Sequence, residues 1–111
     1  MILARSLVDA LESKKAEDVV LLDLRGNCLF ADYFVICTGS SDRMIKALVE
    51  AAVEAGERTQ GVRARSEGRP EGGWVLADFG EVILHAFSPE KREYYELERL
   101  WSQAKVVVRI Q

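Results

Sequence analysis

Two stretches of the chain place hydrophobic residues at helical spacing. The first predicts a helix from about Ile2 to Lys14, because its apolar residues recur every three or four positions on one face. They are Leu3, Leu7, Ala10 and Leu11. The second predicts a helix that starts at the turn Gly39-Ser40-Ser41 and ends at Gly56 or Gly61, since serine caps helix starts and glycine follows helix ends. Its stripe comprises Ile45, Leu48, Val49, Ala52 and Val53.

Shorter apolar runs between and after these helices predict β-strands. The runs span Asp18–Leu24, Asp32–Thr38, Trp74–Phe79 and Glu81–Phe87. The run from Asp32 is apolar on both of its alternating faces, which predicts a central strand in a sheet that helices cover on both sides. Gly80 separates the last two runs, and a glycine between two strands predicts a tight hairpin.

The remaining segments carry less regular patterns. Residues 59–73 are rich in Gly and Arg and predict mainly a loop, with a short strand over 62–66 as an alternative. Ser88-Pro89-Glu90 predicts the start of a third helix, since serine caps and proline occupies the first helical position. Its inward stripe is predicted to be Tyr94, Leu97, Trp101 and Ala104. The β-prone segment Lys105–Ile110 predicts either an edge strand or an ordered tail.

The order of these elements predicts the fold class. Helices alternate with pairs of strands, which is typical of an α/β (α+β) protein with a single mixed β-sheet flanked by helices. A length of 111 residues predicts one domain, spanning residues 1–111. Within it, residues 104–111 form a tail to which the pattern assigns no role.

Composition narrows the classes of function. The formal net charge is −3, so the chain lacks the basic footprint of a nucleic-acid binder and is compatible with a basic protein partner. Cys28 and Cys37 have no His or Cys beside them with which to hold a metal, which predicts two reduced thiols. No segment has the pattern of a signal peptide or the length of a membrane span. We therefore expect a soluble cytoplasmic protein without metal or cofactor.

One turn raises the question of enzyme activity. In a nucleotidyltransferase, a turn such as Gly39-Ser40-Ser41 would hold a phosphate on backbone amides. Such an enzyme also needs two carboxylates at i and i+2 on one strand to bind magnesium. Here Asp78 and Glu81 are three positions apart with a turn between them, and Asp23 and Asp32 each stand alone. A capped helix start is the favoured interpretation, and we predict that the protein is not an enzyme.

His85 and Trp74 each have a structural and a functional interpretation. His85, the only histidine, shares a predicted strand face with Ile83 and Phe87, which favours a buried, hydrogen-bonded core residue over a general base. Trp74 and Asp78 share one face of their strand. Trp74 belongs to the core if a helix covers that face, and it is an interface anchor if the face is exposed.

The Arg-rich segment has a functional interpretation of its own. Arg63, Arg65 and Arg69 could contact RNA phosphates. Glu67 and Glu71 alternate with these arginines, so a solvated loop is the favoured interpretation.

Three blocks of the sequence resemble the Iojap, or ribosomal silencing factor, family. The first block is residues 32–41, DYFVICTGSS; the second is Glu67-Gly68 together with 73–87, GWVLADFGEVILHAF; the third is 95–101, YELERLW. They occur in order and at ordinary spacing, and the resemblance runs from about Leu3 to Trp101. The Gly-Ser-Ser turn alone would be a weak signal, whereas three blocks in one short chain are a specific one.

The resemblance implies a fold and a function. The fold would be related to nucleotidyltransferases but would lack their catalytic acids. The protein would be a translational repressor that binds a ribosomal protein at an intersubunit bridge of the large ribosomal subunit. Its bulk would then block joining of the small subunit when nutrients are scarce, with little direct RNA contact.

The resemblance also implies a docking surface. By position, that surface carries over to Glu67, Gly68, Trp74, Val75, Asp78, Phe79 and Gly80. Two departures stand out: Phe79 is found where many members have Tyr, and no family pattern follows Trp101. Two other functions remain open. One is an unusual or degenerate nucleotidyltransferase acting on RNA or a nucleotide; the other is a homodimer that pairs through Val106–Val108.

Overall fold

The computed structural model describes residues 1–26, 28–100 and 104–110. These residues form four helices, one 3₁₀ turn and six strands. The helices are α1 (Ile2–Ser13), α2 (Asp42–Gln60), α3 (Pro89–Tyr95) and α4 (Leu97–Leu100), and the 3₁₀ turn is Pro70–Gly72. The strands are β1 (Glu17–Asp23), β2 (Tyr33–Thr38), β3 (Arg65–Arg69), β4 (Trp74–Asp78), β5 (Val82–Phe87) and β6 (Lys105–Ile110).

The six strands form one mixed sheet in the order β3-β4-β5-β2-β1-β6. The central pair, β2 and β5, is parallel, and every other neighbouring pair is antiparallel. All six residues of β2 and all six of β5 are buried, as expected for strands that are covered on both faces. The predicted fold class, a single mixed sheet flanked by helices, is confirmed.

The main core lies between one face of the sheet and helices α1 and α2; we call this the helix-covered face. Leu7 and Leu11 of α1 and Leu48 of α2 are fully buried against it. Both predicted apolar stripes therefore face the sheet. Ala10 and Val53, at the margins of the stripes, are only partly buried.

Two residues set the limits of α2 and settle alternatives that the sequence left open. The side chain of Ser41 accepts a hydrogen bond from Met44 N at 3.1 Å, so Ser41 is the N-cap. The helix continues through Gly56 and ends at Gly61, whose φ of +66° is left-handed and suits glycine.

The two edge strands of the sheet, β3 and β6, lie in segments whose structure the sequence pattern left uncertain. Residues 65–69 were predicted mainly as loop, and that prediction is wrong, because they form β3 and pair with β4 along its whole length. This edge strand is exposed at every residue and carries no apolar alternation from which to recognise it. Lys105–Ile110 forms the edge strand β6 and pairs with β1, with a bulge between Leu21 and Leu22.

The predicted inward stripe of the third helix is wrong at Tyr94. Helix α3 ends at Tyr95, and Glu96 then adopts a left-handed φ of +46° before α4 begins. This break resets the helical phase, so Leu97 is buried while Tyr94 is 76% exposed. Trp101, also predicted in the stripe, lies outside the described residues, and Ala104 packs partly buried against the second face of the sheet.

Candidate functional site

The sheet face opposite α1 and α2, here called the second face, is covered less completely. Its buried core comprises Val20, Leu22, Leu24, Phe34, Ile36, Ile83, Phe87 and Leu97, with Ala31 beside them. Near β3 fewer residues pack over this face, and Trp74 and Leu76 of β4 are only partly buried. Strand alternation directs these two side chains to the second face, together with Asp78.

An aromatic group surrounds Trp74 at this end of the second face. The Trp74 ring stacks on Phe87 with centroids 5.1 Å apart and tilts against Tyr95 at 4.4 Å. Tyr95 is 38% exposed, so the group reaches the surface. We call Trp74, His85, Phe87 and Tyr95 the Trp74 cluster.

His85 is the polar member of the Trp74 cluster. Its side chain is 4% exposed, and its Nδ1 accepts a hydrogen bond from Trp74 Nε1 at 3.2 Å. Burial lowers the pKa of His85 to about 4, so the imidazole is neutral at pH 7. The prediction of a buried, hydrogen-bonded histidine is confirmed.

A shallow depression adjoins the Trp74 cluster on the β3 side. It has a volume of about 190 Å³ and is lined by Glu67, Gly68, Trp74 and Leu76. Glu67 pairs with Leu76 in the β3–β4 register, which places both side chains on the second face. Charged residues of both signs border it, because Arg65 pairs with Asp78 and Arg69 with Trp74.

The seven sequence-predicted docking residues divide between surface and core. Glu67, Gly68 and Gly80 are exposed, and Trp74 and Asp78 are half-buried on the second face. Val75 and Phe79 are each 5% exposed and belong to the core under α1 and α2. These two side chains anchor β4 and the turn after it to the main core, and they present little surface to a partner.

The hairpin turn after β4 positions two of the predicted residues. Gly80 N donates to the Asp78 carboxylate at 2.8 Å, and Phe79 N donates to Val82 O at 2.9 Å. Gly80 has a φ of +94°, a conformation that favours glycine. The Asp78 carboxylate thus closes the turn.

Two residues of this region were not predicted as site residues. Leu76 lines the depression beside Trp74, and Tyr95 packs on the Trp74 ring. The alternation of β4 contained the signal for Leu76, which lies two positions from Trp74. Tyr95 could be placed only by knowing where α3 ends.

A second depression, of about 490 Å³, lies at the ends of β1 and β2 and beside α3. It is lined by Glu17, Asp18, Thr38, Pro89, Arg92, Glu93, Glu96 and Arg99. Arg92, 9% exposed, donates to Thr38 Oγ1 at 2.9 Å and to the backbone oxygen of Asp18. The guanidinium therefore ties α3 to the ends of two strands.

The turn Gly39-Ser40-Ser41 has a structural explanation. A β-carbon on Gly39 would lie 2.9 Å from Ile45 Cγ1, so glycine permits the close approach of the first helical turn. Gly39 N donates to Phe87 O at 2.9 Å, which joins the turn to β5. The favoured interpretation, a capped helix start, is confirmed by the Ser41 cap.

Within the described ranges, no group of three or more His, Cys, Asp and Glu side chains could hold a metal ion. Cys28 is half-buried and Cys37 buried, and both are free thiols. Among the described helices, none combines the length and the apolar character needed to cross a membrane.

Comparison with known proteins decides the family. The model of the family described as "Ribosomal silencing factor during starvation" matches residues 2–111. The chain belongs to this family. Because the match continues past Trp101, the expectation that the family pattern ends there is wrong. Ribosomal silencing factors are named as regulators, which agrees with a role in translation regulation rather than with catalysis.

Individual relatives and solved structures agree with this family. The Ribosomal silencing factor RsfS of Halalkalibacterium halodurans is 41% identical over 101 residues, covering 90% of this chain and 86% of that protein. The mouse protein named "Mitochondrial assembly of ribosomal large subunit protein 1" is 34% identical over 86% of this chain and 43% of its own length. A crystal structure of a Chromobacterium violaceum protein superposes with a TM-score of 0.85 at 33% identity, covering 91% of this chain and 84% of that one.

Proposed function

We propose that this member of the ribosomal silencing factor family represses translation in the cytoplasm by docking on the large ribosomal subunit. It binds a ribosomal protein at an intersubunit bridge, and its bulk keeps the small subunit from joining. No bond is made or broken in this mechanism. A protein–protein interface of about 800 Å² per partner suffices to hold the factor in place.

The observation that carries this proposal is that Trp74 and Tyr95 of the Trp74 cluster are partly exposed on the second face. Aromatic residues that lie half-buried at a surface, with apolar neighbours, have the composition of an interface centre. Trp74 and Leu76 provide apolar area, and Glu67 and Asp78 provide carboxylates at its border. The name of the mouse relative refers to the large ribosomal subunit, which supports the choice of subunit.

The charge of the protein suits a basic protein partner. With a net charge of −3, it is repelled by RNA phosphates at long range and attracted by a basic protein surface. On the second face itself Glu67 and Asp78 lie beside Arg65 and Arg69, so the attraction to a basic partner comes from the charge of the whole protein. We therefore propose that protein contacts dominate and that direct RNA contacts are few.

Off the ribosome, we propose that the protein can pair with a second copy through β6. This strand lies at the edge of the described sheet, and Val106 on it is 51% exposed. An exposed edge strand offers backbone donors and acceptors to another chain.

The alternative of a degenerate nucleotidyltransferase has less support. The 490 Å³ depression lies near the turn that would hold a phosphate, but four of its lining residues are carboxylates. They are Glu17, Asp18, Glu93 and Glu96. Arg92 is already bonded to Thr38 and to the Asp18 backbone, and Arg99 lies 3.7 Å from Glu96. A phosphate in this depression would therefore lie mostly against negatively charged side chains.

Sedimentation with purified ribosomal subunits tests the proposal. The full-length protein is mixed with large or with small subunits at near-physiological salt, and the pellet is assayed for it. We expect binding to large subunits only, and we expect light scattering to show slower joining of the two subunits when the protein is present. Equal binding to both subunits, binding to neither, or unchanged joining would overturn the proposal. A parallel magnesium-dependent nucleotide-transfer assay would detect the enzyme alternative.

A further inference from the structure

His85 is a buried polar residue whose presence packing does not explain. It lies in the middle of β5, a strand buried at every position, and its side chain is 4% exposed. Its Nε2 is buried and, within the described part of the chain, has no hydrogen-bond partner. A buried polar group left without a partner costs about 1–3 kcal/mol, which an apolar side chain of similar size would avoid.

What His85 adds over an apolar residue is an acceptor for Trp74. In the β4–β5 register Trp74 pairs with Phe87 and Leu76 pairs with His85, so His85 is the diagonal neighbour of Trp74 on the second face. The indole Nε1–H can only donate, and it donates to His85 Nδ1 at 3.2 Å. The bond therefore assigns the ring proton to Nε2, the atom without a partner.

This bond restricts the orientation of the Trp74 ring. Stacking on Phe87 limits the tilt of the indole, but a flip about the Cβ–Cγ bond would keep the ring stacked and exchange its two edges. The bond to His85 selects one of these two orientations, because it engages the edge that carries Nε1. In this orientation Trp74 lines the shallow depression together with Glu67 and Gly68.

We propose that His85 is a positioning residue, whose Nδ1 holds the Trp74 indole in the one orientation that the docking partner contacts. The inference rests on the proposed function, since it assumes that Trp74 is part of the docking surface. An indole that is already ordered loses less conformational freedom when the partner binds. Losing the bond should therefore weaken binding about 3- to 10-fold, the range expected for ordering one large side chain.

Two variants of matched shape separate positioning from packing. His85→Asn places an amide oxygen close to the position of Nδ1 and can still accept the indole N–H. His85→Leu has the same branched shape but presents a methyl group there. In this buried setting we expect the Leu variant to be at least as stable as the Asn variant. If His85 contributed only to packing, the affinity for large subunits would rise and fall with the stability of each variant.

Two measurements on folded protein test the proposal. The first is solvent exchange of the Trp74 indole N–H by NMR, with the signal assigned from its loss in Trp74→Phe. The second is the affinity for purified large subunits. We expect slow exchange and affinity within about twofold of the unmodified protein for His85→Asn, and fast exchange with about 3- to 10-fold weaker binding for His85→Leu.

The outcomes separate this inference from the proposed function. Indole exchange and affinity in His85→Leu equal to those of the unmodified protein would overturn the positioning role, even if the protein binds ribosomes. Failure of the unmodified protein to bind large subunits would overturn the proposed function instead, and the NMR measurement would still decide whether His85 orders Trp74.

Discussion

The Phe79 ring lies directly against the backbone of Gly56, so that a β-carbon on Gly56 would lie 2.7 Å from Phe79 Cε2. This contact joins the C-terminal third of α2 to the turn between β4 and β5. Phe79 is 5% exposed, and its ring has little room to move aside. The turn that bears Asp78 and Gly80 is thereby held to the main core.

Gly56→Ala is expected to destabilise the protein by about 1–2 kcal/mol. Alanine favours a helix interior over glycine by about 1 kcal/mol, but crowding a packed ring costs more than that. Urea unfolding measures the effect. In a Phe79→Leu background the crowding is relieved, so the same substitution should there be neutral or stabilising. An equal loss in both backgrounds would show that the Phe79 contact is not the cause.

Trp74→Ala is expected to weaken large-subunit binding by about 2 kcal/mol or more, as truncating a central aromatic contact does. Loss of the contacts with Phe87 and Tyr95 should also lower stability, so affinity must be measured on protein shown to be folded at the assay temperature. Leu48→Ala is the matched control, because it destabilises a fully buried position on the opposite side of the sheet and leaves the second face unaltered. If Leu48→Ala weakens binding as much as Trp74→Ala does, the second face is not the docking surface.

His85 should make stability depend on pH. Its pKa in the folded protein is about 4, below the ordinary value of 6.5, so between these values the unfolded chain binds more protons than the folded protein. Stability is therefore lost as pH falls from about 6.5 toward 4, by about 3 kcal/mol at the lower end. Urea unfolding at several pH values, compared between the unmodified protein and His85→Leu, isolates this contribution. Parallel curves for the two proteins would contradict it.

Arg92→Ala is expected to cost about 2–4 kcal/mol, because it leaves the Thr38 hydroxyl and the Asp18 backbone oxygen without their guanidinium donor. Arg58→Ala provides the comparison. Arg58 and Glu54 form an exposed ion pair of 3.0 Å, whose loss should cost less than about 0.5 kcal/mol. Thermal unfolding of both variants distinguishes the buried arginine from the exposed one, and similar losses would argue against a structural role for Arg92.

The two thiols should differ in reactivity. Burial raises the pKa of Cys37 to about 12, and its thiolate form is negligible at neutral pH, whereas Cys28 is half-buried. A disulfide reagent such as Ellman's should modify one thiol per chain in native buffer and two in denaturant. Cys28→Ser should abolish the native reaction. Fast modification of two thiols in native buffer would mean that the sheet opens readily around β2.

The sequence predicts the elements whose burial pattern is strong and misses those whose position depends on distant neighbours. Strand β2 is recognisable as central because both of its faces are apolar. Strand β3 is not recognisable, because its five residues are all exposed and only pairing with β4 makes them a strand. Likewise, no local signal predicts the left-handed turn at Glu96, which places Leu97 on a different face from Tyr94.

The candidate site shows the same division. Strand alternation separates Trp74 and Asp78 from Val75, so the burial of Val75 follows from the pattern once helices are known to cover one face. The burial of Phe79 follows from a contact with Gly56, which lies in a different element and could not be inferred locally. The bond between Trp74 and His85 depends on the β4–β5 register, which the hairpin at Gly80 sets.

The pairing of β1 with β6 has a consequence for the kinetics of folding. Asp23 pairs with Lys105, so two strands that are far apart in the sequence must come together to form this pair. The parallel pair β2–β5 is also joined only through α2, β3 and β4. Contacts between residues so distant in sequence require the closure of long loops, which slows folding relative to a helical bundle of equal size. Until β6 pairs with β1, the outer edge of β1 has unpaired backbone groups. During that period a newly made chain is most prone to aggregate.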